Sequence, residues 1–322
     1  MFGVQTSNFK LQTHPVKFAA IDIGSNAARL QISKLLDDGT GPSFKRVEYV
    51  RFPLRLGHDV FNTGQISPEG EVRLFKMLLS FRLLMELHEV TDYLICATSA
   101  MREAANGPDV VTRILGQLAM KIHVIDGARE AELINNVVVQ SLDDDKTYLH
   151  VDVGGGSTEL NVYVRRQKVA SRSFKIGSVR LLEGKETTGD WERMRSWIAD
   201  HVPGQPADIA AVGTGGNISK LFTLATEKLS PVSMSAHELE RLHAYIASFS
   251  LDDRMNKLRL NDDRADVIVP AARIYLSAMR WAGATTIFVP DLGLKDGIIL
   301  AVYERWLARK RSKSQESGAR SE

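Results

Sequence analysis

The chain has 322 residues with nearly balanced charge, 41 Lys and Arg against 39 Asp and Glu, which is twice the length of one ordinary core and sets the expectation of two domains. A net charge of +2 removes any global electrostatic case for a nucleic-acid or membrane-surface partner, so an acidic small ligand would need a local basic pocket. One cysteine, Cys96, excludes disulfides and cysteine-rich metal sites. It fits a reducing compartment.

Met1 to Pro15 is polar and lacks the apolar core of a signal peptide, and no segment approaches the ~20 apolar residues that span a bilayer. A cytoplasmic location without membrane contact is expected. The first elements are strands at 18–23, 28–35 and 44–52, then a helix opened by Ser67 and Pro68 with apolar residues to Leu87. The run "DYLICAT" predicts a buried strand that carries Cys96. Helices near Met101 to Ala105 and over "PDVVTRILGQLA", and a strand "KIHVID", complete an α/β unit with a mixed sheet. A helix follows Gly127 and bridges the halves.

The second half repeats the order, with strands at 147–153, 159–164 and 168–175, a helix near 190–201, a strand at 208–212 and helices beyond. Ser235 and Glu238 form a capping-box pattern. Pro270 early and Gly283 at the end bound a later helix. The strand "TTIFVP" leads to a C-terminal helix. The expected division is 1–130, 131–308, with the last helix free to pack back on the first lobe, and a disordered, serine-rich basic tail at 309–322.

The repeat is most explicit at two hairpins. In "FAAIDIGSNAARLQIS" a strand ends in Asp22, turns through Gly24, Ser25 and Asn26, and resumes at Leu30. In "TYLHVDVGGGSTELNVYV" a strand ends in Asp152, turns through Gly154, Gly155, Gly156, Ser157 and Thr158, and resumes after Glu159. Glycine lets backbone amides converge and Ser or Thr adds hydroxyl donors, so two facing hairpins would clamp a phosphate chain. Asp22, Asp152 and Glu159 supply the hard oxygens that Mg²⁺ takes while it keeps most of its waters. The same aspartates would also serve as simple turn caps. A third glycine turn, "AVGTGGNISKL", adds Gly215 and Gly216 before a helix, and "PDLGLKDGI" adds Lys295.

The motifs "AIDIGSNAARLQI", "ATSAMREAANG", "VIDGAREAEL", "VDVGGGSTEL", "KIGSVRL", "AVGTGGNISKL" and "DLGLKDGI" together resemble the exopolyphosphatase and guanosine pentaphosphate phosphohydrolase (Ppx/GppA) family, from Phe18 to Trp306. The resemblance implies two actin-like, ribonuclease H-like lobes of the acetate kinase, sugar kinase, Hsp70 and actin superfold, with an interlobe cleft. It also implies Mg²⁺-dependent hydrolysis of a terminal phosphoanhydride, from inorganic polyphosphate or pppGpp, by a homodimer. Glu130 matches the catalytic base and Asp152 and Glu159 the acids tied to Mg²⁺ and water, so that the expected metal set is Asp22, Asp152 and Glu159. The expected phosphate contacts are Gly24, Ser25, Asn26, Arg29, Arg102, Gly154, Gly155, Gly156, Ser157, Thr158, Gly215, Gly216 and Lys295.

By sequence physics alone Glu130, in the first turn of a helix, would only offset the helix dipole. Arg102 and Lys295 would equally serve as solvated helix residues. The chain departs from the family pattern at Ala27, where a hydroxyl is usual, at Arg129, a cation expected to lower the pKa of Glu130, and at Asn217, where Thr is frequent. His58 and Asp59 form an isolated pair without metal-ligand spacing. Two further classes share the superfold: a small-molecule kinase, whose acceptor signature is missing, and a non-catalytic polyphosphate or nucleotide sensor, which would not require Glu130.

Overall fold

A computed structural model describes residues 15–37, 41–202 and 209–318. The first half contains β1 (Lys17–Ile23), β2 (Ala28–Asp37), β3 (Pro42–Phe52), α1 (Leu56–Thr63), α2 (Pro68–Leu87), β4 (Asp92–Ala97), α3 (Ser99–Glu103), α4 (Gly107–Leu118), β5 (Ile122–Val124) and α5 (Gly127–Val138). There follow β6 (Thr147–Val153), β7 (Thr158–Val164), β8 (Gln167–Phe174), α6 (Ser178–Leu182), α7 (Thr188–His201), β9 (Ile209–Thr214) and α8 (Gly216–Leu224). The chain continues through β10 (Lys228–Ser230), β11 (Ser233–Ser235), α9 (Ala236–Ala247), α10 (Leu251–Asn256), α11 (Asp262–Ala265), α12 (Ile268–Ala282), β12 (Thr286–Phe288) and α13 (Leu294–Gly318).

Two sheets share one plan. The first runs β3-β2-β1-β4-β5, and the second contains β8-β7-β6-β9-β12 in the same order, extended by β11 and β10. In each, two antiparallel pairs are followed by two parallel ones, so the fold is a pair of actin-like, ribonuclease H-like α/β lobes. β1 and β6 are buried along almost their whole length because helices cover both faces. Ala19, Ile21 and Ile23 point into one core, with α1, α2 and α4, and Leu149, Val151 and Val153 into another. Phe18, Ala20 and Tyr148 point into a third core between the sheets, built around α5 and α13. Alternation then fixes the direction of the strand-end acids. Asp22 and Asp152 share parity with these residues and face the interlobe space.

The C-terminal helix α13 lies on β1 and β4 of the first sheet, while α5 lies on β7 and β8 of the second. Tyr303 and Trp306 pack edge-on around Phe18. Arg305 and Arg309, one turn apart, both pair with Asp92. These contacts carry the helix past residue 308, where a disordered tail was expected, to Gly318.

Where α5 and α13 cross, a side chain at Gly297 would place its first carbon 2.1 Å from the carbonyl oxygen of Leu133. Pro270 and Gly283 bound α12 as the sequence suggests, Gly283 with φ of 72°. The expected capping box at α9 is half formed. Ser235 Oγ caps the backbone of Glu238, but the Glu238 carboxylate is drawn away by the Thr226 backbone and Arg241. A reciprocal box stands instead at Thr187 and Asp190 on α7.

The helix crossing sets a prediction. Gly297→Ala should cost roughly 2–3 kcal/mol in denaturant unfolding, because backbone rather than a movable side chain blocks it. Gly116→Ala, on an open face of α4, should stabilise by up to about 1 kcal/mol. Equal effects of the two would remove the crossing as a packing constraint.

Candidate active site

The two hairpin turns are built alike: the Gly24 amide donates to the Ala27 carbonyl at 3.1 Å and the Gly154 amide to the Ser157 carbonyl at 2.9 Å. They face each other closely enough that a side-chain carbon at Gly155 would lie 2.8 Å from Ser25 Cβ. Glycine is required there for contact between the lobes as much as for any ligand.

Register makes the hairpins chemically opposite. Asp22 stands across from Arg29, and Asp152 across from Glu159. Asp22 is tied to Arg29 Nη1 at 2.6 Å. Asp152 and Glu159 are buried like charges on directly opposed positions, an arrangement that destabilises a strand pair without compensation. Glu130, brought in by the first turn of α5, joins them, and the three acids have oxygens within 4.8 Å of one another. Among the described residues this is the group of acids able to hold a metal ion, and Asp22, read from sequence as a metal ligand, lies outside it. The strand register is the reason: it gives Asp22 a guanidinium partner.

Burial is the largest influence on all three acids. It pushes Glu159 up to about 7, with Asp152 next, and Asp152 up to about 6, partly opposed by a Thr214 hydrogen bond and by Arg29. Glu130 is held well above the usual carboxylate range by burial and then by Glu159, Asp152 and Asp22, while Arg102 opposes. Arg129, expected to lower Glu130, instead points outward and pairs with Glu132 at 2.7 Å. Glu159 Oε1 accepts from Ser157 and Ser173, each at 2.8 Å. Glu159 Oε2 and Glu130 Oε2 are buried with no hydrogen-bond partner. Hard oxygens, clustered, buried and unsatisfied, fit a divalent cation.

Glu130 and Asp152 line a cleft of about 310 Å³ between the lobes. Of the residues expected at phosphate, Gly24, Ser25, Asn26, Arg29, Gly154, Gly155, Gly215, Gly216 and Lys295 line it, as do Asp22, Glu130 and Asp152. Gly156, Ser157, Thr158, Arg102 and Glu159 do not. Gly156 packs on Phe61 and Ser99, the Ser157 hydroxyl is spent on Glu159, and the Thr158 hydroxyl donates to the Ile176 carbonyl at 2.6 Å. Arg102 donates to the Ile125 carbonyl at 2.6 Å and acts on Glu130 through its charge alone. Lys295 is paired with Asp296, and Asn26 binds the Asp263 carbonyl across the cleft.

Sequence reasoning missed further residues of the cleft. Arg46, Tyr49, Arg51, Lys220 and Arg264 also line the cleft. A bulge at Val47, skipped in the pairing of β2 with β3, puts Arg46 on the same face as Tyr49 and Arg51. Arg264 comes from the four-residue α11. Burial, then Arg51, lowers its guanidinium to about 10, and its Nε has no partner. A side chain at Gly216 would lie 3.4 Å from Arg29 and 3.5 Å from Arg264, so both cations converge on the N-terminus of α8. Cations that crowd a helix N-terminus make an anion site.

Ion pairs hold this geometry across the lobes. Arg51 pairs with Asp263, and Arg55 with Asp266 at 2.6 Å. Arg180, in the motif after Gly177, pairs with Glu103 at 2.7 Å and lies over the Phe61 ring at 4.2 Å. His58 binds Glu183 at 2.6 Å, away from the acidic cluster. Cys96 is buried at the strand position opposite Asp22, and burial pushes its thiol up to about 12.

Comparisons with known proteins identify the family. The model of the Ppx/GppA phosphatase family matches residues 36–305. Exopolyphosphatase 2 of Mycobacterium tuberculosis is 29% identical over 325 residues, covering 89% of this chain and 98% of that protein. The bifunctional 3-dehydroquinate synthase/phosphatase of Fusobacterium nucleatum is 25% identical over 314 residues, and the matched region spans only 46% of its length. An exopolyphosphatase structure from Cytophaga hutchinsonii superposes with a TM-score of 0.75 at 24% identity, covering 88% of this chain and 96% of that one. An Aquifex aeolicus Ppx/GppA family member gives 0.69 at 24% identity, with 91% and 98% covered. By its matching residues and its fold, this chain belongs to the Ppx/GppA phosphatase family, whose members hydrolyse phosphoanhydride bonds.

Proposed function

We propose that the protein is a Mg²⁺-dependent exopolyphosphatase that removes the terminal phosphate of inorganic polyphosphate by attack of water on the phosphoanhydride. The observation that carries this reading is a cluster of buried acids, two of them with an unpartnered oxygen, at a cleft that converging guanidiniums line. Asp152 and Glu159 would hold the cation, with Glu130 close enough to share its waters. Bound Mg²⁺ neutralises charge on the terminal phosphate oxygens. Arg29, Arg264 and the amides opening α8 hold the chain. Glu130, made basic by burial, orients the attacking water and takes its proton.

Tyr49, 38% exposed at the cleft, offers a ring face that a bare phosphate chain does not use. It supports pppGpp as the second substrate to test. A non-catalytic sensor would gain nothing from burying Glu130 at 7% exposure beside two other acids.

Phosphate release should be measured from short polyphosphate, long polyphosphate and pppGpp, with Mg²⁺ and with EDTA. Mg²⁺-dependent release should fall by about 10²–10⁴-fold in Glu130→Gln, the usual scale of general base catalysis. Retention of more than about a tenth of kcat, under ~1.4 kcal/mol of barrier, would remove Glu130 as the base. Faster turnover of pppGpp than of either polyphosphate would favour the nucleotide reading.

The raised acids also fix a pH trend. Their folded-state values lie above those of the unfolded chain, so the metal-free native state binds more protons. Its stability is greatest below the unfolded carboxylate range and is lost as pH rises through about 6 for Asp152 and about 7 for Glu159. The Tm of metal-free protein should therefore fall between about pH 4 and 7, and saturating Mg²⁺ should flatten the slope. A Tm that rises over this interval without metal would contradict the clustering of the acids.

A further inference from the structure

On the interlobe face of the second sheet, one row below Asp152, lies a line of polar side chains that the phosphate chemistry does not use. Register places Ser171 on β8, Asn161 on β7 and His150 on β6 directly opposite one another. His150 and Asn161 have no exposed surface. Ser171 Oγ donates to Asn161 Oδ1 at 2.7 Å, Asn161 Nδ2 lies 2.9 Å from His150 Nδ1, and His150 Nε2 lies 2.9 Å from Thr214 Oγ1. Register sets Thr214 on β9 directly beside Asp152 on β6, and its hydroxyl draws the Asp152 carboxyl down.

The proton order that starts from Ser171 as donor satisfies every member. Ser171 makes Asn161 Oδ1 an acceptor, so the amide N–H faces the ring and Nδ1 carries the lone pair. A ring whose Nδ1 accepts from the amide is neutral. Its single proton then sits on Nε2 and is donated to Thr214, whose own proton is left for Asp152. The fold does not demand this histidine. In the first sheet the position equivalent to His150 is Ala20, two residues before Asp22, and that equivalent to Thr214 is Cys96, directly beside Asp22.

We propose that His150 is a positioning residue for the cation site, acting through Thr214 to aim the Asp152 carboxylate at Glu130 and Glu159. The proposal rests on the reading that these acids bind a divalent cation. Hydrogen-bonded partners behind a ligand fix its orientation, and their loss commonly weakens metal binding 10–100-fold.

The test is Mn²⁺ alone titrated into metal-free protein and followed by electron paramagnetic resonance. Thr214→Val, which keeps the volume and removes the hydroxyl, should weaken Mn²⁺ binding about 10–100-fold, and Thr214→Ser should stay within about threefold of wild type. His150→Leu should weaken binding in the same direction, and His150→Gln, which restores an N–H near the Nε2 position, should recover part of the loss. Nitrogen NMR of the histidine ring in wild-type protein should show the proton on Nε2. Binding unchanged within about threefold in both Thr214→Val and His150→Leu would overturn the proposal, as would a proton on Nδ1 even where a variant fails to fold. Absence of Mn²⁺ binding by wild-type protein would instead sink the cation reading on which the proposal stands.

Discussion

Two buried carboxylates directly opposite each other across an antiparallel strand pair are the constraint around which this molecule is arranged. Asp152 and Glu159 cannot both ionise at this distance in a dry setting without help. The surroundings provide it in parts. Ser157 and Ser173 hold one oxygen of Glu159, Thr214 holds Asp152, and the charge of Arg102 reaches Glu130 and Glu159. Two oxygens still lack partners. In the first sheet the same two positions carry Asp22 and Arg29, and the problem disappears. One backbone plan thus appears twice, once neutralised internally and once left in need of a cation.

The cations of the cleft have the complementary deficit. Arg29, Arg51 and Arg264 approach one another, and the guanidinium of Arg264 is lowered by burial and by Arg51. Asp22 and Asp263 each answer one of these charges. A polyanion entering with a divalent cation would relieve the acids and the guanidiniums together, which links the electrostatics of the cleft to the chemistry of its family. The lobes are held in register for this by pairs that cross between them, Arg51 with Asp263, Arg55 with Asp266 and Arg180 with Glu103.

Much of this was legible in the chain itself because it follows from short-range rules. The repeated strand, aspartate and glycine turn marked both hairpins, and period-two alternation is sufficient to aim Asp22 and Asp152 the same way. Pro270 and Gly283 marked α12. What the sequence concealed depends on pairing between distant segments. The bulge at Val47 shifts strand parity, so simple alternation would group Lys45 with Tyr49 where the structure groups Arg46. Arg264 reaches the site from a helix too short to leave a periodic signal. The hydroxyls of Ser157 and Thr158 looked like phosphate donors, but one is consumed by Glu159 and the other faces away. The partner of Asp22 required knowing the register opposite it.

The most direct test of the account is to locate the cation. Anomalous diffraction from crystals of the metal-free protein soaked in Mn²⁺ should give one strong peak bounded by Glu130, Asp152 and Glu159, with Asp22 still on Arg29. A peak held by Asp22, or none among the three acids at saturating Mn²⁺, would contradict the claim that the unrelieved pair in the second hairpin is what this site is built to neutralise.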